Sequence, residues 1–497
     1  MVALSSFRGS RACLLALSLV SCVAASDAEP EEQDLSEVRF YGVPIRGFDA
    51  SLPEVDAIGY DLKLSHRGEV SRPLLSRLGG SVGPSERAVV FDASCTVTYV
   101  ATSAIEAFPV NFFHARLKNV KWQGRALTTS ALDPTTLRVN LGKRVAKGKA
   151  IQITFDYEII PKELARLTSQ TPSGLIDTGD TFYTASWPTK GRYWLPLRDA
   201  PKDGAMFAAA LDFPSGYTLV ANGDLLSRST AGGRSTATFV AKSVMPPYDF
   251  FVGASKAWVE RDLPSARSGK KVATYMRREH DEAGRPMFEF MPRALDFYES
   301  HFGAFRFERA GFVEAPTTWG GGGMEHATIV AIDPLSFAER DKELRHTAAH
   351  ELAHHWGGNL LRVAFWADLW LSEGFTDYMS FRFLEDVDPD DAAQRWRDAK
   401  DITREITRRH PLRPTADDTN VSVVFDSLVY KKGAWVLQVI ENKLGRTKFD
   451  AFLRGWFTRN AFSAVSTRML QSELERETST SFDTLFKKAV YGTDLPE

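Results

Sequence analysis

His350-Glu351-Leu352-Ala353-His354, with Glu373 a short way downstream, is the stretch whose reading decides the rest of the chain. On a helix, His350 and His354 stand one turn apart and point to the same side, so two imidazoles can share one metal ion. Glu351 lies between them, within reach of a water on that ion. Glu373 adds a third, anionic ligand, and the fourth position stays open for water or substrate. This is the layout of a catalytic zinc site; a structural site would be closed, usually with cysteines. The motif alone also fits a charged surface helix that happens to carry two histidines. Its surroundings argue otherwise. The run from Glu343 to Trp356 is rich in helix formers and stops at Gly357-Gly358, a C-terminal stop signal. The next helix begins near Asp368 and carries Glu373. Two helices joined by a loop then bring three ligands to one point.

At 497 residues the chain is too long for one ordinary domain and suits about two or three. Its 25% charged content and net charge of -2, with no basic stripe, exclude nucleic acid as a partner. Arg8 and Arg11 precede a short apolar run from Ala12 to Ala25, the plan of a secretory signal over residues 1–25 and too short to span a bilayer. Two processing readings stand side by side. Val23-Ala24-Ala25 before Ser26 suits ordinary signal cleavage, whereas Leu19-Val20-Ser21-Cys22 resembles a lipobox that would place a lipid on Cys22. The protein is therefore expected to be exported: periplasmic, secreted, or held at a membrane surface through Cys22. The cysteines are Cys13, Cys22 and Cys95, so an exported body without internal pairs takes its stability from core packing. Cys95 lies in a strand-like run, Val89 to Val100, and reads as a buried apolar residue rather than a nucleophile.

Residues 26–37 read as an acidic, flexible leader. From 38 to 259, runs such as Tyr60–Ser65, Ala150–Ile160 and Tyr217–Ala221 alternate apolar and polar residues between turn signals such as Asn222-Gly223, which predicts an all-β domain. Beyond a polar loop at Leu263–Lys271 the period changes. Met287–Phe302, Leu335–Trp356, Asp368–Leu384, Ala392–Arg408, Ser427–Leu444 and Lys448–Phe457 read as helices, so 260–497 is expected to be a mainly helical catalytic domain. Gly320 to Gly323 is a run of glycines, which lets a backbone lie close to a ligand.

Several motifs agree with one family. His350 to Tyr378, HELAHHWGGNLLRVAFWADLWLSEGFTDY, resembles the H-E-x-x-H-x-W-x-G-N and D-L-W-L-N-E-G-F segments of the zinc aminopeptidases of the aminopeptidase N and leukotriene-hydrolase group, peptidase family M1. Ser372 stands where that pattern has Asn. Gly322-Gly323-Met324-Glu325-His326 is similar to its G-x-M-E-N exopeptidase motif, with His326 in place of Asn. Val429 to Ala434 is similar to its Y-x-K-G segment, and Gly191 to Pro201 to its A-R-x-x-F-P-x-x-D-x-P. The resemblance implies an α+β multidomain fold, an N-terminal saddle-like β domain followed by a thermolysin-like catalytic domain, with no further C-terminal domains.

It also implies a mechanism. One zinc ion per chain is held by His350, His354 and Glu373. Glu351 is the general base and Tyr430 the donor to the developing oxyanion. Glu325 anchors the α-ammonium of a peptide with a free N-terminus, while Gly322, Gly323, Met324 and His326 line the substrate's path. His326 is read equally as a donor to the substrate backbone or as a surface histidine, and His355 as a packing or solvent contact. The family's β domain adds a Gln and a Glu at the substrate's N-terminus; here those positions fall near Ala185 and Trp187, where no acid stands. The amine pocket is then expected to rely on Glu325 with help from Glu373. Competing readings are an oligopeptidase or endopeptidase with a relaxed N-terminal requirement, an epoxide hydrolase, and a non-catalytic peptide-binding module.

Overall fold

A computed structural model describes residues 30–45, 47–76, 82–168, 173–264, 267–317, 320–338 and 341–497. The expected signal segment 1–25, with Cys22, lies outside the described residues. So does the start of the expected leader; the part that is described is not loose, since Gln33–Asp34 pairs with Lys149–Ala150 at a sheet edge.

Two long strands, Val55–Leu75 and Val82–Ala101, form an antiparallel ribbon at the centre of a nine-stranded sheet. Lys149–Ile159 extends it on one side and Ala205–Pro214, parallel to the first strand, on the other. Alternate residues of these strands, such as Leu62, Leu64, Cys95 and Val97, enter the core, as period-two patterning requires. Cys95 is fully buried, and burial pushes its thiol up, so it behaves as an apolar residue. Smaller three- and four-stranded sheets complete this half.

The second half opens with a sheet rather than a helix. Trp258–Leu263, Val272–Arg277, Ala310–Glu314, Val330–Ile332 and Gly323–Met324 pair in that order; the middle three are parallel and Gly323–Met324 is an antiparallel edge. The strand Trp258–Leu263 crosses residue 259, so this sheet begins before the expected change of domain. Its three inner strands are short and largely buried, so they lack the alternation that marked the first half.

Helices follow. The expected helix Met287–Phe302 is two, Arg278–Phe288 and Met291–Phe302, broken where Pro292, which has no N–H to donate, opens the second. Instead of one helix from Leu335, a 3-10 turn at Pro334–Ala338 precedes Asp341–Ala353, the ligand helix. Trp370–Val387, the glutamate helix, and Ser427–Leu444, the tyrosine helix, cross in direct contact. Gly374 and Gly433 meet at the crossing: a Cβ on Gly374 would stand 2.6 Å from the Gly433 Cα. A buried polar cluster ties the same two helices, with the Tyr378 hydroxyl donating to Glu441 at 2.6 Å and Arg382 bridging Glu441 and Asp450. One continuous apolar core runs through both halves, from Val55 to Val490.

The halves are also pinned next to Glu325. Asn222-Gly223, expected only as a turn, is a clamp: the buried Asn222 amide donates to the Ala327 carbonyl at 2.6 Å and the Gly223 N–H donates to the Thr328 hydroxyl at 2.7 Å. Gly223 holds a left-handed φ of 84°, and a side chain there would strike the Val240–Ala241 backbone.

Candidate metal centre

His350 lies in the last turn of the ligand helix, and His354 follows where the helix unwinds into Gly357-Gly358. Glu373 comes from the first turn of the glutamate helix. Their donor atoms form a tight triangle: His350 Nε2 to His354 Nε2 3.2 Å, Glu373 Oε2 to His354 Nε2 3.3 Å, and Glu373 Oε2 to His350 Nε2 3.4 Å. Ligands bonded tetrahedrally to one ion at about 2.0–2.1 Å stand about 3.3 Å from one another. The donor set, two imidazoles and a carboxylate, therefore fits one zinc ion by both chemistry and spacing.

The atoms behind the ligands support the same reading. His350 Nδ1 faces Asp377 Oδ1 at 3.0 Å. His354 Nδ1 faces the Gly357 carbonyl at 2.9 Å and the Ser372 hydroxyl at 3.1 Å. Each Nδ1 is thus held by an acceptor, which leaves Nε2 as the metal-facing atom. Ser372, the departure from the family pattern, is one of these supports. Burial opposes charge on His350, but the hydrogen bonds to Asp377 and Glu373 outweigh it and lift the ring to about 10; Glu325 and Glu373 likewise lift His354 to about 9 against burial. Burial resists ionisation of Glu373, yet the two imidazoles hold it down to about 2. The site is built for a cation, and a metal would displace the ring protons.

Around the triangle is a cleft of about 220 Å³. Glu351, Glu325 and Tyr430 all line it, together with Gly322 and Gly323. Glu351 packs against Gly323 so closely that a Cβ there would lie 2.4 Å from its Cγ and 2.9 Å from its Oε1. Burial pushes Glu351 up to about 7, against the pull of His350 and His354. Tyr430 stacks its ring on His350 at 5.9 Å; burial, then the surrounding carboxylates, push its hydroxyl well above 10, so it stays a donor. One carboxylate oxygen of Glu325 lies within 4.8 Å of ligand atoms of Glu351 and His354. Asn359, in the loop after the ligand helix, holds the Glu325 carbonyl at 3.0 Å.

Two expected contacts do not form. Met324 and His326 line a separate pocket rather than the metal cleft: the strand ends at Met324, and the chain turns tightly at Glu325, where the His326 N–H donates back to the Met324 carbonyl at 2.9 Å. His326 is neither a surface residue nor a lining residue of that cleft. It is buried against Phe251 at 4.9 Å, where burial pushes it down to about 3 and keeps it neutral. His355 is a packing residue: its Nε2 accepts the Thr328 N–H at 3.0 Å and its ring packs on Phe305 and Phe307. Trp187 does reach the cleft, as the alignment near Arg192 implied. It joins an arc of aromatic rings: Tyr248 to Trp366 at 5.7 Å, Trp366 to Trp187 at 6.1 Å, Trp187 to Phe425 at 4.3 Å, and Phe425 to Tyr430 at 6.1 Å. The arc leads from beside Glu325, which Tyr248 faces, round to the ring that covers His350. Phe425 and Asp377 were missed in the sequence; Asp377 stands four residues after Glu373, on the same helix face, which is the signal that marks it.

Residues 287–488 match the peptidase family M1 domain model. Among curated proteins, aminopeptidase M1-B of Oryza sativa subsp. japonica is 26% identical over 302 residues, 58% of this chain and 34% of that protein. The glutamyl aminopeptidase of Sus scrofa is 24% identical over 308 residues, 58% of this chain and 32% of that one. The chain thus spans about a third of the length of these relatives. Among solved structures, a glutamate-to-alanine mutant of the M1 zinc metallopeptidase from Deinococcus radiodurans superposes with a TM-score of 0.72 at 22% identity, covering 90% of this chain and 97% of that one. The same mutant has been solved with a Tyr-Ser-Ala substrate. Residues 287–488 are thus similar to the peptidase family M1 domain, and the chain, with its β-rich first half, has the fold of the solved M1 metallopeptidases.

Proposed function

We propose that the protein is a zinc-dependent aminopeptidase that removes the first residue of peptides with a free N-terminus. The observation that carries this reading is the meeting, in one cleft, of the His350–His354–Glu373 triangle, the buried acid Glu351 and a further anion, Glu325. When bound, zinc supplies a Lewis acid and makes hydroxide available from water near neutral pH.

The chain's own groups do the rest. Glu325 pairs with the α-ammonium and so sets how far the first carbonyl reaches into the cleft. The edge strand Gly323–Met324 offers its main chain to the extended substrate. Glu351 takes the proton from the attacking water at its carboxylate and passes it to the leaving nitrogen. The Tyr430 hydroxyl donates to the carbonyl oxygen as negative charge gathers there. The first side chain lies along the Trp187–Phe425 part of the aromatic arc, which favours large apolar residues. Here Trp187 takes the place of an amine-binding acid, so the ammonium rests on Glu325 with Glu373 behind it. Export through the apolar leader belongs to the same reading; mass spectrometry of the mature N-terminus tests it and separates a Ser26 start from a lipid on Cys22.

The deciding experiment compares cleavage of aminoacyl-fluorophore amides with the same compounds N-acetylated. Cleavage of the free-amine set alone, lost with chelator and restored by zinc, is the expected result. Equal cleavage of both sets would replace this reading with an endopeptidase.

A further inference from the structure

We propose that Asp377 and Lys431 form a positioning pair that aims His350 at the metal and holds the tyrosine helix in register with it. The inference rests on the zinc reading above and concerns residues that no ligand or base role occupies. Asp377 uses its two oxygens on two different elements. Oδ1 faces His350 Nδ1 at 3.0 Å, and Oδ2 accepts from Lys431 Nζ at 2.7 Å. Asp377 itself sits on the glutamate helix, one turn after Glu373. A single carboxylate therefore ties together the ligand helix, the glutamate helix and the tyrosine helix.

The tie is needed because the two imidazoles are supported differently. His354 leans on its own loop, through the Gly357 carbonyl, and on Ser372. His350 has Asp377 behind it and the Tyr430 ring over its face. Asp377 is 1% exposed, and a carboxylate buried so deeply needs a cation to stay charged. Lys431 supplies it: its ammonium reaches Asp377 and lies over the Phe381 ring, 5.4 Å from the centroid. Without Lys431, the half-buried His346 ring, 3.8 Å from Oδ1, is the neighbouring partner, and a turn of Asp377 toward it would re-aim His350. Lys431 also follows Tyr430 directly. Fixing its head group on Asp377, three residues past the Gly374–Gly433 crossing, fixes the turn that presents the Tyr430 hydroxyl.

The test measures zinc affinity of the full chain by competition with a chromophoric chelator, and steady-state turnover on a free-amine substrate, for wild type, Asp377→Asn, Lys431→Met and Lys431→Arg. Loss of a partner behind a ligating histidine weakens metal binding about 10–100-fold. Asp377→Asn is expected in that range and Lys431→Met near its lower end. Lys431→Arg should restore most of the affinity, and Lys431→Met should lower kcat more than it changes KM. Zinc affinities and kcat values in both Asp377→Asn and Lys431→Met within about twofold of wild type would overturn the pair. Should one variant fail to fold, the other decides. Failure of wild type to bind zinc would instead overturn the metal reading on which the pair rests.

Discussion

The two walls of the cleft are built on opposite plans. The helical wall carries His350, His354, Glu373 and Tyr430 on elements locked by the Gly374–Gly433 contact, by buried ion pairs and by a partner behind each imidazole ligand. The other wall is a two-residue edge strand after a run of left-handed glycines, Gly320 to Gly322, faced by Trp187 from the β-rich half. The first wall must hold three donor atoms about 3.3 Å apart. On the proposed reading the second lets a peptide slide in and pair, which an open backbone edge and small residues allow. The proposed function thus puts the chemistry where the structure is stiff, and the selection among substrates where main chain is open and side chains come from the β-rich half.

That contrast can be attacked from its strong side first. Removing the metal with chelator should abolish turnover, with recovery on adding zinc; persistent activity in the metal-free protein would break the assignment of the helical wall. Glu351→Gln should lower kcat by about 10²–10⁴ while leaving zinc bound, because only the proton acceptor is lost. Tyr430→Phe should cost about 10²–10³ in kcat with KM little changed, as befits a donor used only as charge develops. Full turnover in that variant would remove the role.

The recognition wall should respond in binding more than in turnover. Glu325→Gln is expected to lower kcat/KM for free-amine substrates about 10–100-fold, the value of one charge-assisted contact, and to narrow the gap to N-acetylated ones. A gap that stays as wide would place the amine elsewhere. Trp187→Ala should have the smallest effect: a few-fold rise in KM for large apolar first residues and little change for alanine, read from the amide panel. The two walls touch at Gly323, where a Cβ would strike Glu351. Gly323→Ala should therefore lower kcat as a displaced base would, although the substitution is made on the recognition side.

Much of this could be read in the chain. The ligand spacing is local, four residues on one helix, so periodicity alone predicts that His350 and His354 converge. The glutamate and tyrosine helices were legible as well: Ser427–Leu444 has the same bounds in sequence and structure. What failed did so for physical reasons. Buried strands of three to six residues carry no alternation, so Val272–Arg277, Ala310–Glu314 and Val330–Ile332 were hidden. His326 sits beside Glu325 in sequence, yet the tight turn there, closed by the His326 N–H on the Met324 carbonyl, carries its side chain to Phe251 instead of the cleft.

The sequence by itself determined the candidate donor set, the acid between the two histidines and the likeness that led to the fold, because those depend on residue type and short spacing. Only the tertiary structure decided what stands behind each ligand. Asp377 with Lys431, Ser372 with Gly357, Asn359 beneath Glu325 and the Gly374–Gly433 crossing are contacts between elements brought together by packing, and no local period encodes them.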